Sequence, residues 1–294
     1  MKQVLAFGAG VQSTALLLMS CKGLLPRLDA AIFSDVGWEP SKVYRHLEWC
    51  IEYAAKYEIP VRIVKQTEDG LRLDVLNNVT RVDGGHAPVL PYYTATIESK
   101  PEGMSMRHCT TDYKVKPLMK FIKREILGLK KYARIPKEVL VHQWIGISFD
   151  EATRAKPSQY PFSEHVFPFL NWGIESPNGK TSRRYQIINW LEENYPEIEV
   201  PRSACIGCPF HSNKEWRRIK ENPEEWQEAI EFDRAVRVDL RKRTRKDGTP
   251  YKPMLQKRYL HKSCKPLEDV DLRSDEEKGQ NSLWDNECEG MCGM

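Results

Sequence analysis

Lys2-Gln3-Val4-Leu5-Ala6-Phe7-Gly8-Ala9-Gly10-Val11-Gln12-Ser13-Thr14-Ala15-Leu16-Leu17-Leu18-Met19-Ser20 decides how this chain is read. Gln3 to Phe7 is short, apolar and β-prone, the pattern of a buried parallel strand. Gly8-Ala9-Gly10 follows at once, and Gln12-Ser13-Thr14 opens a leucine-rich helix. Such a loop turns sharply, lets backbone approach a ligand closely, and aims N–H groups at an anion on the helix N-terminus. Ser13 and Thr14 add hydroxyls at that positive end. The third glycine of the dinucleotide fingerprint is missing, and so is the Gly-Lys-Ser/Thr of a Walker A loop. Taken alone, the loop reads either as a phosphate cradle or as an ordinary strand-to-helix turn.

Its surroundings extend the pattern. Leu28 to Phe33 reads as a second strand, Tyr44 to Tyr57 as a helix ending before Pro60, and Pro60 to Val64 as a third strand. Alternating strands and helices predict an α/β fold with a Rossmann-like parallel sheet flanked by helices. Ligands of such sheets lie at the carboxyl ends of the strands, where Gly8 to Gly10 and Ser34-Asp35 both fall. Leu71 to Met106, rich in Gly, Pro, Thr and Tyr, reads as a long irregular loop. A helix follows Met106 to Leu118 and runs to about Leu129, carrying Lys120, Lys123 and Arg124, with Lys130-Lys131 just beyond. Val139 to Ile147 is a fourth core strand, Phe167 to Trp172 a short extended segment, and Thr181 to Asn194 a helix. Beyond a tight turn around Cys205 to Pro209, helices are expected over Asn213 to Lys220 and from Pro223 to about Arg243. Arg245 to Lys252 reads as a linker. The expected organisation is an α/β domain over 1–200, a Cys-x-x-Cys and basic helical region over 201–272, and an acidic tail over 273–294.

A chain of 294 residues with 40% hydrophobic and 29% charged residues is a globular protein with room for a sizeable core. No apolar run has the length of a membrane span and no leader pattern is visible, so cytoplasm is the default expectation, without membrane association. The net charge of +4 is unevenly spread. Arg234 to Lys262 holds eleven Lys or Arg against two Asp, and Glu268 to Glu289 nine acids against two bases. The basic stretch is either a polyanion-binding face or a solvated helix and linker.

Phe7 to Thr14, together with Ile32-Phe33-Ser34-Asp35-Val36-Gly37-Trp38-Glu39-Pro40, resembles the adenine nucleotide alpha-hydrolase superfamily, specifically its phosphoadenylyl-sulfate (PAPS) reductase-like branch. In ATP-cleaving members the loop reads Ser-Gly-Gly-x-Asp-Ser. Gly8 stands here for the serine, Ala9 for a glycine and Gln12 for the aspartate, departures that bear on ATP pyrophosphate cleavage rather than on nucleotide binding. Gly146-Ile147-Ser148-Phe149-Asp150-Glu151-Ala152-Thr153-Arg154 resembles the family's substrate-binding segment, in which an arginine can fork onto a phosphate. The resemblance thus implies an adenine nucleotide, ATP or PAPS-type, held by Gly8, Gly10, Gln12, Ser13, Thr14, Asp35, Lys114, Asp150 and Arg154, with Mg²⁺ as its accompanying ion.

Cysteines carry the second signal. A Cys-x-x-Cys in a Pro/Gly turn sets two thiolates on one side of a knuckle, and Cys205 and Cys208 have that spacing. Cys109, before Tyr113-Lys114-Val115-Lys116-Pro117, resembles the family's cysteine ahead of a Tyr-Lys-x-x-Pro segment and supplies a third ligand; Cys264 is the expected fourth, with His211 and the tail cysteines behind it, and free thiols or a disulfide are the alternative to a metal. Thiolates suit a [4Fe–4S] cluster or structural Zn, and spacing does not decide between them. Cys21 and Cys50, at or within apolar helices, read as core fillers. Near the end, Glu287-Cys288-Glu289-Gly290 and Met291-Cys292-Gly293 resemble in part the nucleophilic tail of sulfonucleotide reductases, whose Glu-Cys-Gly-Leu-His ends in a histidine absent here. Cys292 or Cys288 would then be the catalytic thiol, on a tail expected to be mobile until nucleotide arrives.

Three functions follow as expectations. The first is a PAPS reductase-like enzyme of sulfur metabolism, drawing electrons from a thiol reductant such as thioredoxin. The second is an ATP- and iron–sulfur-dependent thiolation enzyme whose partner is nucleic acid, held through residues 234–262 by phosphate contacts. The third is a non-catalytic nucleotide-binding accessory protein.

Overall fold

A computed structural model describes residues 1–80, 90–170, 182–237 and 256–273. Its chain divides into two compact units: residues 1–35, 41–64 and 115–203 form unit 1, and residues 36–40, 65–114 and 204–294 form unit 2. The division is not the sequential one expected, because residues 36–40 and 65–114 pack with the C-terminal region instead of the amino-terminal domain.

Unit 1 is the α/β fold read from the sequence. Its strands are β1 (Lys2–Phe7), β2 (Ala30–Asp35) and β3 (Val61–Lys65), followed after a long interval by Val141–Trp144 and Ser163–Val166. With β4 (Tyr93–Thr96) and β5 (Pro101–Met104) of unit 2 between them, these last two are β6 and β7. The sheet has the order β3-β2-β1-β6-β7 and is parallel throughout. Leu5 faces Ala31 and Trp144 across the ladder, and Phe7 faces Phe33. Successive side chains leave opposite faces of a strand, and the packing obeys this. Leu5, Phe7, Ala31 and Phe33 enter one buried cluster, Val4, Ala30 and Ile32 another.

Helix α1 (Val11–Cys21) is buried from Gln12 to Cys21, its polar residues Gln12, Ser13, Thr14 and Ser20 included. It packs against α2 (Ser41–Ala55) and Arg184–Asn194 on the first face. On the other face lie Leu118, Met119 and Ile122, from a helical run of a π-turn (Thr110–Val115), an α segment (Lys116–Phe121) and a second π-turn (Ile122–Ile126). Cys21 and Cys50 are core residues; burial pushes the Cys21 thiol up to about 11 and raises that of Cys50 as well. The fifth strand, Ser163–Val166, precedes the segment expected to be extended, where Pro168–Leu170 instead makes a 3-10 turn. Thr181, where the next helix was expected to begin, lies outside the described residues.

In unit 2 the expected irregular loop over 71–106 is largely regular. Helix α3 (Gly70–Thr80) buries Leu71 and Val75, one turn apart. Strands β4 and β5 pair antiparallel, and β4 pairs on its other side with β8 (Gln256–Tyr259). Their Tyr, Thr and Gly content looks like loop sequence until a partner 160 or more residues distant, Gln256 opposite Thr96, completes the ladder. With α4 as Lys116–Phe121 and α5 as Arg184–Asn194, the remaining helices are α6 (Asn213–Lys220) and α7 (Pro223–Arg237), each starting where read. Asp233 of α7, fully buried, accepts from the backbone N–H of Leu260 (3.0 Å) and Leu267 (3.1 Å) and pairs with Arg237. Among the described residues no helix is long and apolar enough to cross a membrane.

His46 of α2 lies under α1, its Nε2 2.9 Å from the Thr14 hydroxyl, and burial pulls its pKa down to about 4. Below about pH 6.5 the unfolded chain takes up a proton that the folded chain refuses. Stability is therefore full above about pH 6.5 and falls progressively down to about pH 4, by roughly 3 kcal/mol at most. Urea denaturation across this range should show the slope, and His46→Gln should flatten it.

Candidate functional site

Each unit carries one candidate site. In unit 1 the end of β1 turns into α1 through Gly8-Ala9-Gly10. Ala9 is fully buried with φ +55°, a left-handed conformation costing a non-glycine residue about 1 kcal/mol or more. Ser13 Oγ closes the turn from within. It accepts from the N–H of Gly8 (3.2 Å) and Gly10 (3.3 Å) and donates to the Gly10 carbonyl (3.2 Å). Its hydroxyl thus shapes the loop instead of being held out for an anion. Thr14 corrects the expectation of a second phosphate-binding hydroxyl. Wholly buried, it gives its N–H to the Gly10 carbonyl (2.9 Å) and turns its hydroxyl to His46. What the corner offers an anion is the first-turn amides of Val11, Gln12 and Ser13, which have no intrahelical carbonyl, and the positive end of α1.

Two walls flank this corner. A methyl at Gly10 would sit 3.2 Å from Ser203 Cβ, and one at Gly8 3.5 Å from Ser203 Oγ. Nothing in the sequence marks Ser203 except its nearness to Cys205. Opposite, the chain leaving β6 crosses the first turn of α1 at Gly146, where a methyl would lie 2.9 Å from Gln12 Cβ and 3.0 Å from Ser13 N. The 3-10 turn Phe149–Arg154 follows. Gln12 donates to Glu151 Oε2 (3.0 Å) and accepts from Arg184 Nη1 (3.2 Å), while Glu151 also pairs with Arg154. Asp150 accepts from the Arg184 backbone N–H (2.6 Å). Burial raises the Glu151 carboxyl above the usual range despite the two guanidinium groups. These bonds gather Gln12, Asp150, Glu151, Arg154 and Arg184 into one polar network. Arg184 opens a helix whose role the sequence does not disclose. Asp35, buried at the end of β2, accepts from Tyr44 Oη at 2.8 Å. Lys114 belongs to unit 2, where it pairs with the buried Glu39 at 3.5 Å.

Unit 2 gathers thiols. Cys109, Cys205 and Cys208 line one largely apolar cavity of about 20 Å³, together with Arg107, Lys114 and Phe210. That is room for about one water-sized group. The knuckle is set by backbone: the Cys208 N–H donates to the Cys205 carbonyl (3.0 Å), which also accepts from His211 Nε2 (2.9 Å). Gly207 is obligatory, since a Cβ there would fall 1.9 Å from the Trp38 ring. Trp38 in turn packs against Phe232, centroids 4.4 Å apart and rings tilted by 47°, and accepts the Ile206 N–H on its carbonyl (2.9 Å). Cys264 corrects the expected fourth ligand. It packs with Ala95 and Tyr259 on the small sheet, Sγ 3.8 Å from the Thr94 carbonyl, and is not among the residues lining the cavity.

The donor chemistry suits zinc or iron–sulfur. Yet among the described residues no three His, Cys, Asp or Glu side chains are gathered into a metal-ligating group. As placed, Cys109, Cys205 and Cys208 share the lining of one cavity. Cys288 and Cys292 lie outside the described residues, as does most of the basic stretch, 238–255. In comparisons with known proteins, no family model, curated protein or solved structure matches this chain.

Gly146→Ala should force the β6 exit off α1 and destabilise the chain by about 1–3 kcal/mol. Gly103→Ala, where nothing lies within 4 Å of an added methyl, is the control; equal urea midpoints for the two variants would contradict the close crossing.

Proposed function

We propose that this chain is an adenine-nucleotide-binding enzyme of sulfur chemistry resembling the PAPS reductases. The observation that carries the reading is the reversal of strand order at β1 and β6. Loops leaving two such strands diverge and open a crevice at their carboxyl ends, the usual ligand position of an open α/β sheet. Both loops hold the residues singled out on chemical grounds: Gly8 to Gln12 after β1, and Asp150 to Arg154 after β6. Helix-end amides suit phosphate, and the guanidinium groups of Arg154 and Arg184 supply countercharge.

In this reading a cysteine thiolate, Cys292 or Cys288, attacks the sulfur of an adenylyl-linked sulfate. The S–O bond to the nucleotide phosphate breaks and the nucleotide leaves with that electron pair. A second thiolate then displaces sulfite, the two cysteines become a disulfide, and a dithiol of the thioredoxin kind supplies the two electrons that restore it. The shared cavity of Cys109, Cys205 and Cys208 favours a second reading, in which sulfur is handled there and delivered to nucleic acid.

Gly10→Leu would drive a side chain into Ser203 and should abolish adenine-nucleotide binding in calorimetry; unchanged affinity would move the site elsewhere. Removal of residues 286–294 should leave that affinity intact and abolish thiol-dependent turnover. Full activity after the truncation would exclude the tail thiols and favour the cavity.

A further inference from the structure

At the amino-terminal end of β6, opposite the glycine corner in unit 1, lies a surface that the nucleotide site does not use. Between Lys116 and Glu138 there are eight Lys or Arg and two Glu. Lys116 and Lys120 are exposed, and Lys123 and Arg124 half-buried, at three- and four-residue spacing opposite the buried Leu118, Met119 and Ile122. They form a basic stripe along the helical run. Beyond it Lys130, Lys131, Arg134 and Lys137 are all exposed.

The segment after the helix is held in shape. Gly128, at φ +63°, turns the chain, and the Leu129 N–H reaches back to the Lys123 carbonyl (2.8 Å). The Arg124 guanidinium donates to the carbonyls of Leu129 (2.6 Å) and Lys131 (2.8 Å), and the Ala133 N–H closes a turn on Lys130 (2.9 Å). On that braced turn Tyr132 is 90% exposed, with Lys131 Nζ 5.5 Å from its ring centroid. A large aromatic ring left in water on a braced turn, with Lys131 beside it, offers a stacking face next to phosphate-binding charge.

We propose that this surface binds single-stranded nucleic acid, with backbone phosphates along Lys116 to Lys131 and an unpaired base on Tyr132. Charge complementarity selects a polyanion. The presented ring selects one with free bases over an acidic polypeptide. The inference does not depend on the glycine corner or on the cysteines.

The test is fluorescence anisotropy of the full chain with a labelled oligothymidylate of about 16 nucleotides, over a series of salt concentrations. Tyr132→Ala should weaken binding roughly tenfold at an unchanged salt slope, with Tyr132→Phe restoring it. Lys130→Ala with Lys131→Ala should reduce the slope of log affinity against log salt by about 1.4. Thermal melts should match the parent, since all three side chains are exposed. Affinity unchanged in both variants would overturn the proposal, as would equal competition by polyglutamate. Binding to phosphatidylserine vesicles without binding to the oligonucleotide would overturn it too.

Discussion

The crossing of the β6 exit over the first turn of α1 is the constraint on which unit 1 depends. No side chain larger than hydrogen fits at Gly146, because Gln12 Cβ and the Ser13 nitrogen already lie within 3.0 Å of where a methyl would be. That approach lets the Gln12 amide bridge Glu151 and Arg184. It also fixes the 3-10 turn bearing Asp150 and Arg154 beside the loop that follows β1. A glutamine suits the bridge for a simple reason. It donates to one carboxylate and accepts from one guanidinium at once, whereas an aspartate there would face Glu151 as a like charge.

Unit 2 repeats the device with different chemistry. Gly37 and Gly70 both adopt positive φ, and a methyl on Gly70 would lie 2.9 Å from the Val36 carbonyl. Gly207 admits the Trp38 ring directly onto the Cys-x-x-Cys knuckle. The aromatic after glycine in Gly37-Trp38 therefore sets the position of two cysteines, through backbone contact and ring packing, without being near enough in sequence to suggest it.

Where a stretch carried its own reason to fold, the sequence was legible. Val4 to Phe7, the leucine-rich α1 and the starts of α6 and α7 each follow from local pattern, and the parallel sheet follows from the alternation of strands and helices. Legibility failed where the reason lay elsewhere in the chain. Tyr93 to Thr96 is the centre of its sheet because Gln256 to Tyr259 pairs with it on the side away from Pro101 to Met104. At the glycine corner the residue types were readable, but their use was not. Ser13 turned inward to hold two amides, Thr14 was taken by His46, and Arg184 and Ser203 entered from distant positions with no local motif. Cys109, Cys205 and Cys208 share a cavity across about a hundred residues, which spacing alone could propose for the pair but not for the third.

The chain passes from unit 1 to unit 2 and back twice before entering unit 2 for the last time at Ala204. During synthesis, Trp38 and Leu71 are therefore made long before Ile206, Trp216 and Phe232, the residues that cover them. Until then the nascent chain holds a half-core, including Val75, Leu90, Tyr92 and Tyr113, that lacks its C-terminal cover, and loop closure over such separations is slow. The order of synthesis thus makes the segments at 36–40 and 65–114 wait for residues between Ala204 and Leu272 before their shared core can close.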